Sequence, residues 1–171
     1  RGITTHDRKQ AVVIISNRKY EESFHFDRLM MEAYSRNIGS IFIDPQEAPF
    51  YVPIIREDGG FYTTLQRQEI FYSEVLEYLK DIGYKSFSIW LFGQGFDSIK
   101  NSILDNRVIS SFVVISNKQF DDIGSRFPPS LIIIGEHNSA IEENRLFFNN
   151  LEEKNIETEI VIVQGAYYQL T

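Results

Sequence analysis

The sequence predicts an α/β fold: a three-layer sandwich in which helices cover both faces of a mostly parallel six-stranded sheet. Two observations carry this. Short β-rich runs alternate with longer helical stretches along most of the chain. Several of the runs are nearly continuous in Ile, Val and Phe, the pattern of strands buried on both faces rather than one. No repeat, low-complexity stretch or linker divides the chain, so its 171 residues are read as a single domain, 1–171.

The strands are expected at "QAVVIIS" (10–16), "GSIFIDP" (39–45), "KSFSIWLFG" (85–93), "VISSFVVIS" (108–116), "PSLIIIGE" (129–136) and "TEIVIVQGA" (158–166). The first helix, 22–37, places Phe26, Leu29, Met30 and Ala33 on one face. The second, 65–83, turns Ile70, Val75, Leu76 and Leu79 inward. A short third helix is expected over 96–106. A fourth over 139–155 has Ile141, Leu146, Phe147 and Leu151 at helical spacing. Gly39 and Gly83 follow the first two helices, where a left-handed residue ends a helix well. The connection 117–128 is short and only weakly helical. The stretch from Asp44 to Thr64 is long for a connection in a compact domain. It carries Phe50, Tyr51, Phe61 and Tyr62, three prolines and the Gly59-Gly60 pair. It reads either as a surface excursion pinned by its own aromatics or as a surface for a ligand or partner.

Composition narrows the function. Hydrophobic residues make up 43%, which is the composition of a folded chain. The net charge of −7 argues against a general binder of nucleic acid or anionic membrane, because both call for surplus Lys and Arg. The absence of cysteine removes disulfides, thiol catalysis and thiolate metal sites. His6, His25 and His137 are scattered, with no HxH or HExxH spacing, so no metal site is expected. No cofactor is expected either. A dinucleotide reading of "GQGFDS" fails on its missing third glycine and on its position after the third strand. No apolar run approaches the roughly 20 residues that cross a bilayer. The opening "RGITTHDRKQ" lacks Met, which reads as a trimmed N-terminus. A cytoplasmic and a periplasmic or secreted location both stay open.

In an open α/β sheet, ligands bind beyond the C-terminal ends of the strands. Three turns stand out there: Gly93-Gln94-Gly95, "GEHNS" at 135–139 and "GAYYQL" at 165–170. Their order and spacing resemble the α/β-hydrolase family. In that family a G-x-S-x-G elbow follows a central strand, a Gly-x-x-Asp turn a later one, and a Gly-x-x-His turn the last. The resemblance covers most of the chain, without the two antiparallel strands that usually precede this core and without an inserted lid. It implies the strand order 2-1-3-4-5-6, counted along the chain.

Laid on this sequence, the resemblance puts Gly95 where the nucleophilic serine belongs, Asn138 where the acid belongs and Tyr168 where the histidine belongs. Asp97 replaces the elbow's second glycine. Glycine has nothing with which to attack a carbonyl. Tyrosine, with an ordinary pKa near 10, is a poor base at neutral pH. Asparagine does not stabilise an imidazolium as a carboxylate does. No catalytic residue is therefore expected, and the chain reads as a hydrolase-like domain that binds or builds. Asp97 reads as a helix cap.

The candidate contacts for a ligand or partner are Asn17, Phe50, Tyr51, Phe61, Tyr62, Gln94, Phe96, His137 and Tyr167. The expected partner is a protein or a small ligand, with an oligomer or a larger complex as a further possibility. The rival reading is an active esterase-like serine hydrolase with a displaced catalytic set, built from His137 and a serine of the same rim. An alternative acid is offered by Asp121 or Asp122, beyond the turn at Asn117. Ser98, in the first turn of a helix, is expected to bond its hydroxyl to backbone, and Ser16 lacks an evident base.

Overall fold

A computed structural model describes residues 2–5, 7–16, 24–43, 56–60, 64–92, 107–115 and 126–166. Its elements run β1 (Gly2–Ile3), β2 (Gln10–Ser16), α1 (Phe24–Ser35), β3 (Gly39–Ile43), α2 (Thr64–Asp81), β4 (Ser86–Phe92), β5 (Ile109–Ile115), β6 (Ser130–Gly135), α3 (Ile141–Glu153) and β7 (Thr158–Val163). The strands form one sheet in the order β1-β3-β2-β4-β5-β6-β7. From β3 to β7 every neighbouring pair is parallel. The six predicted strands are all present, in the predicted order.

Among the described residues the sheet has seven strands rather than six. The additional one, β1, pairs antiparallel with the edge strand β3, matching Gly2 with Ile41 and Ile3 with Ser40. Two residues carry no periodicity, so this strand has no signal of its own in the sequence.

The strand patterns follow from what lies on each face. In β2 every residue but Gln10 is buried. Ala11, Val13 and Ile15 join one core cluster, while Val12 and Ile14 join a second on the opposite face. In β4, Phe87, Ile89 and Leu91 point into the first cluster and Trp90 and Phe92 pack against the second. Residues two apart share a face, so each strand feeds both layers. The chain leaves β2 toward β3 and then crosses back over β2 to β4. Right-handed crossovers therefore put α1 and α2 on opposite faces. Phe26 and Met30 of α1 lie in the second cluster; Tyr72, Leu76 and Leu79 of α2 and Phe147 and Leu151 of α3 lie in the first.

Between β4 and β5 the register shifts at Phe87/Ser88, where Ile109 pairs with Phe87 and Ser111 with Ser88. Ser110 is the unpaired residue of this bulge. Its hydroxyl donates to the Phe87 carbonyl at 3.0 Å. On the same strand the Trp90 indole N–H donates to Ser88 Oγ at 2.8 Å. The first bond uses a backbone carbonyl at the bulge, and the second gives the part-buried indole N–H its acceptor.

Three expectations about individual residues are corrected. Ile70 is not inward: it is 38% exposed, because the buried stripe of α2 is Tyr72, Leu76 and Leu79. Leu146 is 54% exposed, and Asn144 takes its place in the buried face of α3. Gly39 is not the left-handed residue that ends α1; Asn37 is, at φ 60°. Gly39 instead begins β3 against the ring of Tyr84, where a Cβ would sit 2.1 Å from the hydroxyl. Gly83 does end α2 with φ 106°.

Candidate functional site

Because β2 through β7 are parallel, the residues that end them lie along one edge of the sheet. Phe92 ends β4, Gly135 ends β6 and Val163 ends β7. The three predicted turns therefore leave the sheet on the same side, and the last two are tied together. Gly135 pairs with Val163 in register. The Glu136 N–H donates to the Val163 carbonyl at 3.0 Å, and the His137 N–H to the Ala166 carbonyl at 2.9 Å. The Gly165 N–H in turn donates to Glu136 Oε2 at 3.0 Å. Gly165 has φ 69°, a left-handed turn that glycine adopts at little cost. Three hydrogen bonds thus clamp the end of β7 to the start of the β6–α3 turn.

Asn138 is the centre of that turn. It is 2% exposed. Its backbone N–H bonds to the Gly135 carbonyl at 3.0 Å, and its own carbonyl accepts the Ile141 N–H at 3.1 Å. Its side-chain Oδ1 accepts the Ala140 N–H at 2.9 Å. This is the local bonding that asparagine makes well just before a helix. A backbone N–H needs an acceptor, so the amide can lie only one way round. Its Nδ2 is left buried and, among the described residues, without a partner. One turn on, the buried Asn144 donates from Nδ2 to the Ala140 carbonyl at 2.7 Å.

The chemical consequence is one of sign. A carboxylate held in this pose would offer its second oxygen as an acceptor, and an imidazole N–H could use it. The Asn138 amide offers a donor there.

His137 carries its side chain in the exposed part of the turn, and its backbone is committed to Ala166. Ser16 ends β2 in register with Phe92 and is fully buried. Asn17, Phe50, Tyr51, Phe61, Tyr62, Gln94, Gly95, Phe96, Tyr167 and Tyr168 lie outside the described residues, as do Asp97, Ser98, Asn117, Asp121 and Asp122. Of the 44–64 stretch, 56–60 form a small turn: Arg56 and Gly60 bond through the backbone at 2.7 Å, and Arg56 pairs with Asp58 at 2.8 Å. Gly59 has φ 80°.

Two positioning residues had no part in the sequence reading. Glu136 anchors Gly165, and Asn144 supports the first turn of α3. An acid directly after the strand-ending glycine was the available signal for Glu136. For Asn144 there was none, since a polar residue counts against burial in any pattern of apolar spacing. Among the described residues, no group of three or more His, Asp or Glu side chains is placed to hold a metal ion. No helix among them is long and apolar enough to cross a membrane.

No family model matches the sequence, and no curated protein matches it. Solved structures do. Est1E from Butyrivibrio proteoclasticus matches with a TM-score of 0.65 at 12% identity, over 94% of this chain and 79% of its own. Protein ATU1826 from Agrobacterium tumefaciens, of unknown function and proposed to be an α/β hydrolase, matches with a TM-score of 0.69 at 14% identity, over 98% and 80%. An esterase from Pyrobaculum calidifontis matches with a TM-score of 0.65 at 12% identity, over 94% and 68%. At such identities the likeness is one of fold: the chain has the α/β-hydrolase fold.

Proposed function

We propose that this chain is a hydrolase-fold domain without the Ser-His-acid chemistry of the fold, which serves as a binding or assembly module. The observation that carries the reading is Asn138. In the turn after β6 its Oδ1 is bound to the helix backbone, and its buried Nδ2 is a donor where catalysis calls for an acceptor. The sequence adds to this: the matched positions for the nucleophile and the base hold Gly95 and Tyr168, neither of which suits acyl transfer at neutral pH. The likeness to esterases supports the fold and leaves the activity to the site.

The reading is tested with a fluorophosphonate probe and with short-chain aryl esters on the purified chain. The expected result is no covalent label and ester turnover no faster than buffer. Labelling of any serine, lost when that serine is replaced by alanine, would establish the rival reading of a displaced catalytic set.

A further inference from the structure

The outward face of α2 is the least explained surface among the described residues. Tyr72, Leu76 and Leu79 seat the helix on the core, and the opposite side carries a shallow apolar groove of about 680 Å³. Its floor is Ile70, 38% exposed, and Tyr78, 59% exposed. They stand eight residues apart, about two helical turns or ~12 Å along the axis. Around them the groove is lined by Glu69, Glu74, Glu77 and Asp81, and no Lys or Arg is among its described lining residues. Lys80, just outside it, is paired with Glu77 at 2.6 Å.

We propose that this face docks a cationic amphipathic helix of a protein partner. Ile70 and Tyr78 flank Glu74 in one i, i+4, i+8 row of the helix, so a partner helix laid along it meets two apolar anchors with a carboxylate between them. The rim selects by sign. A second copy of the chain would bring Glu74 and Asp81 to the contact again, and like charges so placed repel. Nucleic acid and anionic lipid are excluded by the same argument. A helix with Leu or Phe on one face and Lys or Arg beside it meets both features at once. The surface is separate from the strand-end turns, so the inference stands whether or not those turns bind anything.

The test uses the full chain and a fluorescent leucine–lysine helical peptide of about four turns. Anisotropy is followed at low and at physiological salt. Binding is expected to weaken at least about tenfold when Ile70 and Tyr78 are both changed to Ser, the loss typical of removing central anchors. Glu74→Gln with Asp81→Asn should also weaken it and flatten its dependence on salt. All four side chains are exposed or half-exposed, so circular dichroism should show each variant folded. The control is Glu152→Gln with Glu153→Gln on α3, which should bind as the parent does. No binding by the parent, equal loss in the control, or full affinity in the Ile70→Ser/Tyr78→Ser variant would each overturn the proposal.

Discussion

Replacing Gly39 by alanine is the sharpest probe of how the sheet is assembled. A Cβ there would lie 2.1 Å from the Tyr84 hydroxyl, 2.5 Å from Cζ and 2.8 Å from Cε1. None of these contacts can be tolerated without movement. Tyr84 is 3% exposed, and its hydroxyl accepts the buried Thr5 N–H at 3.1 Å. If the ring moves, that N–H loses its acceptor, at a cost of about 1–3 kcal/mol. If β3 moves, the first turn of strand packing is disturbed, at about 1–3 kcal/mol for an overfilled core. The two responses share the strain, so the expected loss is about 3 kcal/mol. For a chain of this size that lowers Tm by roughly 6–12 °C.

Urea unfolding followed by circular dichroism measures this loss, with the slope unchanged if the denatured state is unaffected. Tyr84→Phe alone should cost about 1–2 kcal/mol by orphaning the Thr5 N–H. In the double variant the shortest contact is gone but Cζ remains at 2.5 Å, so relief is partial. The two changes should therefore be non-additive by about 0.5 kcal/mol or more, as expected of side chains in contact. A loss below about 0.5 kcal/mol for Gly39→Ala, or strict additivity within the ~0.3 kcal/mol of independent sites, would refute the packing argument.

Two further predictions concern α3. Phe147 is fully buried and its ring meets that of Phe127 edge-on at 6.0 Å, so Phe147→Ala should cost about 3–5 kcal/mol in the same unfolding assay. Its neighbour Leu146 is 54% exposed, and Leu146→Ala should stay within about 0.5 kcal/mol of the parent. Asn138→Ala loses the bond to the Ala140 N–H, worth about 1 kcal/mol, but also removes a buried donor that has no partner among the described residues. The measured loss should accordingly fall short of that for a fully satisfied cap. Asn138→Asp keeps the acceptor and places a carboxylate at a 2%-exposed position, with Glu142 and Glu143 in the first turn of the helix that follows. Burial raises the folded-state pKa of that carboxyl above its unfolded value of about 3.9. Its penalty is thus absent below the unfolded pKa and grows until the pH passes the folded one. Unfolding free energies from about pH 3 to pH 8 should show this variant falling behind the parent as pH rises. A gap that stayed constant would contradict the burial of the side chain.

The strands were legible in the sequence because Val, Ile and Phe run almost unbroken through them, and only a doubly covered sheet gives each of those residues a place. The ends of β2 match the sequence reading, and the ends of the other strands fall within three residues of it. The helices were legible as elements but their faces were less so. In α2, Ile70 and Tyr72 are both large and differ in phase; only the sheet decides that the tyrosine goes in and the isoleucine out. In α3, Asn144 is buried because its amide bonds to the Ala140 carbonyl, a use of a polar side chain that apolar spacing cannot register. Gly39 was read as a turn residue when its role is to leave room for a tyrosine 45 positions further on. Of the three turns, spacing from the strands was enough to place Asn138 on the edge shared with the end of β7. The direction of its amide was not legible, because it is set by the Ala140 N–H.

The placement of β2 between β3 and β4 has a consequence for how the chain matures. During synthesis the first long strand emerges with neither neighbour yet made, and its apolar side chains have no cover. One flank closes when residue 43 has appeared; the other waits for residue 92. The segment through residue 92 must therefore leave the ribosome before this central ribbon is sheltered, a delay that favours chaperone capture and makes early truncations sticky rather than merely incomplete.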